Sequence, residues 1–210
     1  MPTTTGDSVD LVAVGLKHRP VSEPSASGSS HDALLAAAAR DGDRVAFGRL
    51  YERYARMVHG ILLARVPVGE VDDIVQDVFI RALRRLSTLR ETASFPAWLA
   101  AIARNLAHDY RRRSLSAHPF TEHAPGEDIT SRIVTTECNA SATAILDAVK
   151  SLPDAYRETL ILRLVEGMTG PEIAARTGMT HGSVRVNLHR GMEQLRAKLY
   201  AKLRATRETP

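Results

Sequence analysis

Residues Thr177 to Arg190, TGMTHGSVRVNLHR, set a glycine ahead of a basic stretch with helical spacing. Arginine carries a planar fork of donors that matches a guanine edge or phosphate oxygens, and a branched apolar side chain can touch a thymine methyl in a major groove. Val184, Leu188, Met192, Leu195, Leu199 and Leu203 recur at intervals of three and four, which commits one helix face to a core. The opposite side carries Ser183, Val186 and Arg190, flanked by Gly182, Asn187, His189 and Glu193, with Arg185 at the edge. Val186 gains nothing from water at such a position. Residues 181–207 hold seven Lys or Arg against one Glu, a local charge of +6 against +4 for the whole chain. The helix dipole accounts for cations near the far end, but it disfavours Arg185 and Arg190 near the start. Ser183, Arg185, Val186, Asn187, His189 and Arg190 are therefore the expected DNA-reading set.

Two further constellations stand in the first half of the chain. Between Glu70 and Leu86 the apolar stripe Val71, Ile74, Val75, Val78, Phe79, Ala82 and Leu86 leaves Asp73, Gln76, Asp77, Ile80 and Arg84 on the other face, an acidic patch around an exposed isoleucine. Dipole complementarity explains acids at a helix start and arginines at its end, but not Asp77 or Ile80, so a partner surface is expected. In FPAWLAAIARNLAHDYRRR the stripe is Phe95, Leu99, Ile102, Leu106 and Tyr110. Away from it lie Ala97, Ala101, Arg104, His108, Arg111 and Arg112, with Trp98, Asn105 and Asp109 along one edge. Small residues followed by bases suit close approach to a nucleic acid. The preceding loop LRETAS could supply a pocket for an unstacked base, where stacking is worth about 1–3 kcal/mol. Trp98 reads as core. Arg104, Asn105, His108, Arg111 and Arg112 are the second expected DNA-binding set.

The elements that must position these groups are all helical. Ser30 and Asp43 suit helix caps, Ser94 and Pro96 a helix start, and Pro153 and Asp154 another, with Gly167 as its left-handed cap. Thr169 can cap the short PEIAART helix, Gly178 closes it and Thr180 opens the long one. A short helix, a tight turn and a longer helix make a helix-turn-helix. The expected fold is all-α: a disordered tail at 1–30, a four-helix module at 31–115, a flexible linker at 116–138 and a helix-turn-helix module at 139–207. The weak zone from Ser114 to Arg132, rich in Pro, Gly and polar residues, suggests the linker.

Composition narrows the function classes. A sequence pI near 9.5 fits an anionic partner. The one cysteine, Cys138, has no CxxC partner, so a disulfide scaffold and a Cys-rich zinc site are both excluded, and the cytoplasm is the expected compartment. No apolar run approaches the roughly 20 residues that span a bilayer, so membrane insertion is not expected. The eight histidines lack HExxH spacing and no GxxxxGK or GxGxxG loop occurs, so no catalytic residue, metal or cofactor is expected.

The pieces VDDIVQDVFIRAL, FPAWLAAIARNLAHDYRRR and LPDAYRETLILRLVEGMTGPEIAARTGMTHGSVRVNLHRGMEQLR resemble, in order and spacing, the bacterial extracytoplasmic-function sigma factors of the sigma-70 family. The resemblance covers about residues 31–200. It implies a transcription initiation factor that binds core RNA polymerase, promoter DNA both double-stranded and melted, and an anti-sigma factor. It places Asp73, Gln76, Asp77 and Ile80 on the polymerase clamp, the second DNA set on the melted minus-ten element and the first on the minus-thirty-five element. Asn187 departs from the basic residue many members carry there. Gly191, where relatives often have Ala, adds about 1 kcal/mol of helix cost. Two other readings stand beside this one: a sigma-like decoy that binds an anti-sigma factor without promoter recognition, and a dimeric helix-turn-helix repressor.

Overall fold

The structure, a computed structural model, describes residues 26–117 and 138–207, and every regular element among them is a helix. The first module consists of α1 (Ala26–Arg40), α2 (Arg44–Leu63), α3 (Val71–Arg85) and α4 (Phe95–Ala117). The second consists of α5 (Cys138–Lys150), α6 (Asp154–Leu164), α7 (Gly170–Thr177) and α8 (His181–Arg207).

Local chemistry explains most boundaries. The Asp43 carboxylate accepts from the amides of Val45 and Ala46 at 2.8 and 3.0 Å and starts α2. Thr169 and Glu172 form a reciprocal capping box that starts α7, and Gly178 ends it at φ 76°, a left-handed conformation that costs glycine nothing. The Thr180 hydroxyl accepts from the Ser183 amide at 3.1 Å and opens α8. Two helices run beyond their expected ends. α1 begins at Ala26 rather than at Ser30, and α4 continues past Ser114 to Ala117, because serine is only mildly unfavourable inside a helix. The remaining parts of the expected tail and linker, 1–25 and 118–137, lie outside the described residues.

The apolar stripes meet as their periodicity requires. The six stripe residues within α3 and Leu86 just beyond its end are buried, as are Phe95, Leu99, Ile102 and Leu106 of α4, with Tyr110 half-buried. Trp98 is half-buried against Phe95, ring centroids 5.9 Å apart. In α8, Val184 and Leu195 are buried and Leu188, Met192 and Leu199 pack against the core. At Gly191 the helix lies so close to α6 that a Cβ would sit 3.0 Å from Leu160 Cδ1 and 3.1 Å from Tyr156 Cβ. Close approach of two helices accounts for the glycine.

The two modules pack against each other. Buried residues of both belong to one apolar cluster. α4 carries a second buried face, Ala100, Ala103 and Ala107, each 0% exposed, that the single-stripe reading missed. α4 also packs against α7, where Ala97 meets Gly178, and α6 packs against α2.

Candidate nucleic-acid interface

On α8 the expected readers stand where the helical wheel puts them. Ser183, Arg185, Val186, His189 and Arg190 are exposed and Asn187 is half-buried. Val186 is 44% exposed, an apolar group in water within a row of donors. His189 lies 3.8 Å from Glu193 on the next turn. The capped α7 and the Gly178 turn hold this row in place, and Thr180 fixes the first turn of α8. Such a surface can enter a major groove and offer donors to base edges and phosphates.

On α4 the five expected residues divide. Asn105 and His108 are exposed and, with Arg81 and Arg85 of α3, line an open concavity of about 300 Å³. Arg112 is exposed, 3.4 Å from Asp109, and Arg111 is exposed, 3.8 Å from Asp154 of α6. Arg104 departs from expectation. Its Nη2 donates to Glu158 Oε1 at 2.7 Å and to the Thr177 carbonyl at 3.2 Å, and its Nε donates to Glu158 Oε2 at 3.2 Å. In this arrangement Arg104 is an internal ion-pair partner and not an open DNA-facing cation. Ala97, also read as a surface for nucleic acid, meets Gly178, where an added Cβ would lie 3.0 Å from the Ala97 Cβ. The physical reason is a carboxylate elsewhere: Glu158 is 1% exposed, and a buried charge must be paired.

Glu158 has a second partner, Arg65, at 2.5 Å. A parallel cluster surrounds Glu166, 7% exposed, which accepts from Arg56 Nε at 3.4 Å and lies 2.8 Å from His59 Nδ1. That hydrogen bond raises the His59 pKa; burial opposes it, and the charges of Glu166 and Asp72 reinforce it. Arg157 Nη1 and Lys150 Nζ donate to the carbonyls of Ala64 and Val66, so cations of the second module satisfy acceptors just beyond the end of α2. Burial lowers the Arg157 pKa. Burial and an Asp32 hydrogen bond raise that of Tyr54, and Arg176 of α7 stands 5.7 Å from the Tyr54 ring centre. Sequence reasoning passed over Arg56, His59, Arg65, Glu158 and Glu166. The available signal was Glu158, two positions before the run Leu160, Ile161, Leu162 in a short helix.

On α3, Asp73, Gln76, Asp77 and Ile80 are all exposed on one side, Ile80 at 48%. No group of three or more His, Cys, Asp or Glu residues that could hold a metal occurs among the described residues. No helix among them is long and apolar enough to cross a membrane.

Comparison with known proteins matches residues 50–115 to sigma-70 region 2 and residues 142–195 to sigma-70 region 4. The chain is 31% identical over 161 residues to the RNA polymerase sigma factor CarQ of Myxococcus xanthus, covering 76% of this chain and 92% of that protein. It is 29% identical over 179 residues to the ECF RNA polymerase sigma-E factor of Haemophilus influenzae, covering 80% and 95%. Among solved structures, CnrH in complex with the cytosolic domain of CnrY is similar at a TM-score of 0.58 and 28% identity, over 81% of this chain and 98% of that one.

Proposed function

Because the chain belongs to the extracytoplasmic-function sigma factors of the sigma-70 family, we propose that α8 reads the minus-thirty-five element, α4 meets the melted minus-ten element and the outer face of α3 docks on core RNA polymerase. Membership makes the chain a promoter-directing initiation factor that binds polymerase and promoter DNA, and the bond-forming chemistry is the polymerase's.

One observation carries the finer assignment: the uncovered row Ser183, Arg185, Val186, His189 and Arg190 on a helix whose other face is buried. Arg185 and Arg190 supply donors for guanine or phosphate, and Val186 supplies an apolar contact for thymine. For the minus-ten strand, Asn105, His108, Arg111 and Arg112 are exposed on α4, while Arg104 requires the modules to part. Asp73, Gln76, Asp77 and Ile80 form an acidic and apolar ridge suited to a basic partner surface. An anti-sigma factor is the further partner we expect, and the CnrH complex with a cytosolic domain supports a protein partner of that kind.

The deciding experiment is in vitro transcription with core polymerase and DNA from upstream of the chain's own gene. Initiation that depends on this chain, and is lost in Arg185→Ala/Arg190→Ala, supports the proposal. Binding to polymerase without initiation at any such template supports the decoy instead. Asp73→Lys/Asp77→Lys weakens binding to core polymerase while leaving duplex DNA binding unchanged; unaltered polymerase affinity removes α3 from the assignment.

A further inference from the structure

We propose that the packed arrangement is a self-shielded resting form, in which carboxylates of the second module occupy on α4 the places that the phosphates of a melted DNA strand would take. This rests on the assignment of α4 to the minus-ten strand. Ala97, Arg104 and Arg111 are spaced by seven residues, two helical turns, and so form one line along the helix. Each meets the second module: Ala97 meets Gly178, Arg104 meets Glu158 and the Thr177 carbonyl, and Arg111 meets Asp154.

Glu158 engages the Arg104 guanidinium through two donors, Nε and Nη2. A phosphate is recognised by that same planar fork. The two acceptors therefore compete for one group, and DNA capture through Arg104 requires release of Glu158. The contacts suit release. The seam combines apolar packing with polar contacts: Glu158 lies between Arg65 and Arg104, Glu166 lies between Arg56 and His59, and Arg157 and Lys150 reach carbonyls. Buried ion pairs add little net stability, because dehydrating both charges offsets their attraction. Once apart, both carboxylates and their cations recover water. The twenty residues between Ala117 and Cys138 are enough chain to span roughly 65 Å when extended.

An uncharged residue of the seam provides the test. Gly60 of α2 is buried, and a Cβ there would lie 2.8 Å from Leu162 Cδ2 and 2.9 Å from Glu166 Cγ, both in the second module. Gly60→Leu thus acts as a wedge while favouring the α2 helix itself. Glu158→Gln weakens the pairing from the other side. Dyes on Ser87→Cys and Gln194→Cys in a Cys138→Ser background report the distance between modules, and far-UV circular dichroism confirms that both modules keep their helices. The DNA probe is a labelled single-stranded oligonucleotide carrying the non-template strand of the chain's own promoter.

Both variants are expected to lower energy transfer and to tighten binding of the single strand by roughly tenfold, as when a competent state rises from a small fraction to the major one. Adding Arg104→Ala to Gly60→Leu is expected to abolish the gain. The proposal is overturned if the variants leave energy transfer unchanged, if the modules part without a gain in affinity, or if the gain persists without Arg104. Failure of the sigma assignment would show elsewhere, as absence of promoter-directed transcription from a chain whose modules still open.

Discussion

α4 and α8 both carry arginines off their apolar stripes, yet the two helices use them differently. Arg190 of α8 stands in solvent, whereas Arg104 of α4 is clasped by Glu158 and the Thr177 carbonyl. The chemistry of the arginine is the same in both. What differs is whether another part of the chain buries a carboxylate opposite it. A basic position on a helix becomes a candidate DNA contact only after the buried acids of the whole chain have found their partners.

The largest effect should separate these two arginines. Arg104→Ala leaves Glu158 buried with one cation, and removing one partner of a buried pair costs about 3–5 kcal/mol; because Arg65 remains, the lower end is expected in urea unfolding. Arg190→Ala should change stability by no more than about 0.5 kcal/mol, as surface substitutions do. Equal losses would erase the contrast. Gly191→Leu should destabilise by about 1–3 kcal/mol through overpacking against Leu160 and Tyr156, despite the better helix propensity. An unchanged midpoint there would mean that α6 and α8 can yield.

Binding should show the reverse order. Arg190→Ala is expected to weaken duplex promoter binding by about 1–3 kcal/mol if it reads a base. If it holds a phosphate, the slope of log affinity against log salt should fall by about 1 instead. Neither change would take Arg190 out of the interface. The smallest effect belongs to His59, which faces Glu166, with Arg56 on the same carboxylate and Asp72 nearby. Its pKa is raised in the folded protein, so the contact stabilises fully below the unfolded histidine value and is lost as pH rises through the raised one. The side chain is 37% exposed, so solvent screening keeps the contribution under about 1 kcal/mol. His59→Gln should flatten that slope in melts across this range, and an unaltered slope would assign it to other groups.

Much of this architecture was legible in the residues themselves. The stripe from Val71 to Leu86 is buried at all seven positions, and the caps at Asp43, Thr169 and Thr180 form as their residue types suggest. The uncovered row on α8 followed from the same periodicity. The docking of one module on the other did not, because helical periodicity reports one face at a time and α4 has two. Ala100, Ala103 and Ala107 look like ordinary helix formers, yet each is fully buried. Glu158 is where the apolar pattern of α6 breaks, and pairing it required knowing which cations lay across the seam.

The line Ala97, Arg104, Arg111 also makes α4 sensitive to phase. One residue inserted between Trp98 and Arg104 would turn everything beyond it by about 100°. Ala97 would stay in place while Arg104 and Arg111 swung away from Glu158 and Asp154, so a frame-preserving insertion should be far less tolerable here than in the chain between the modules.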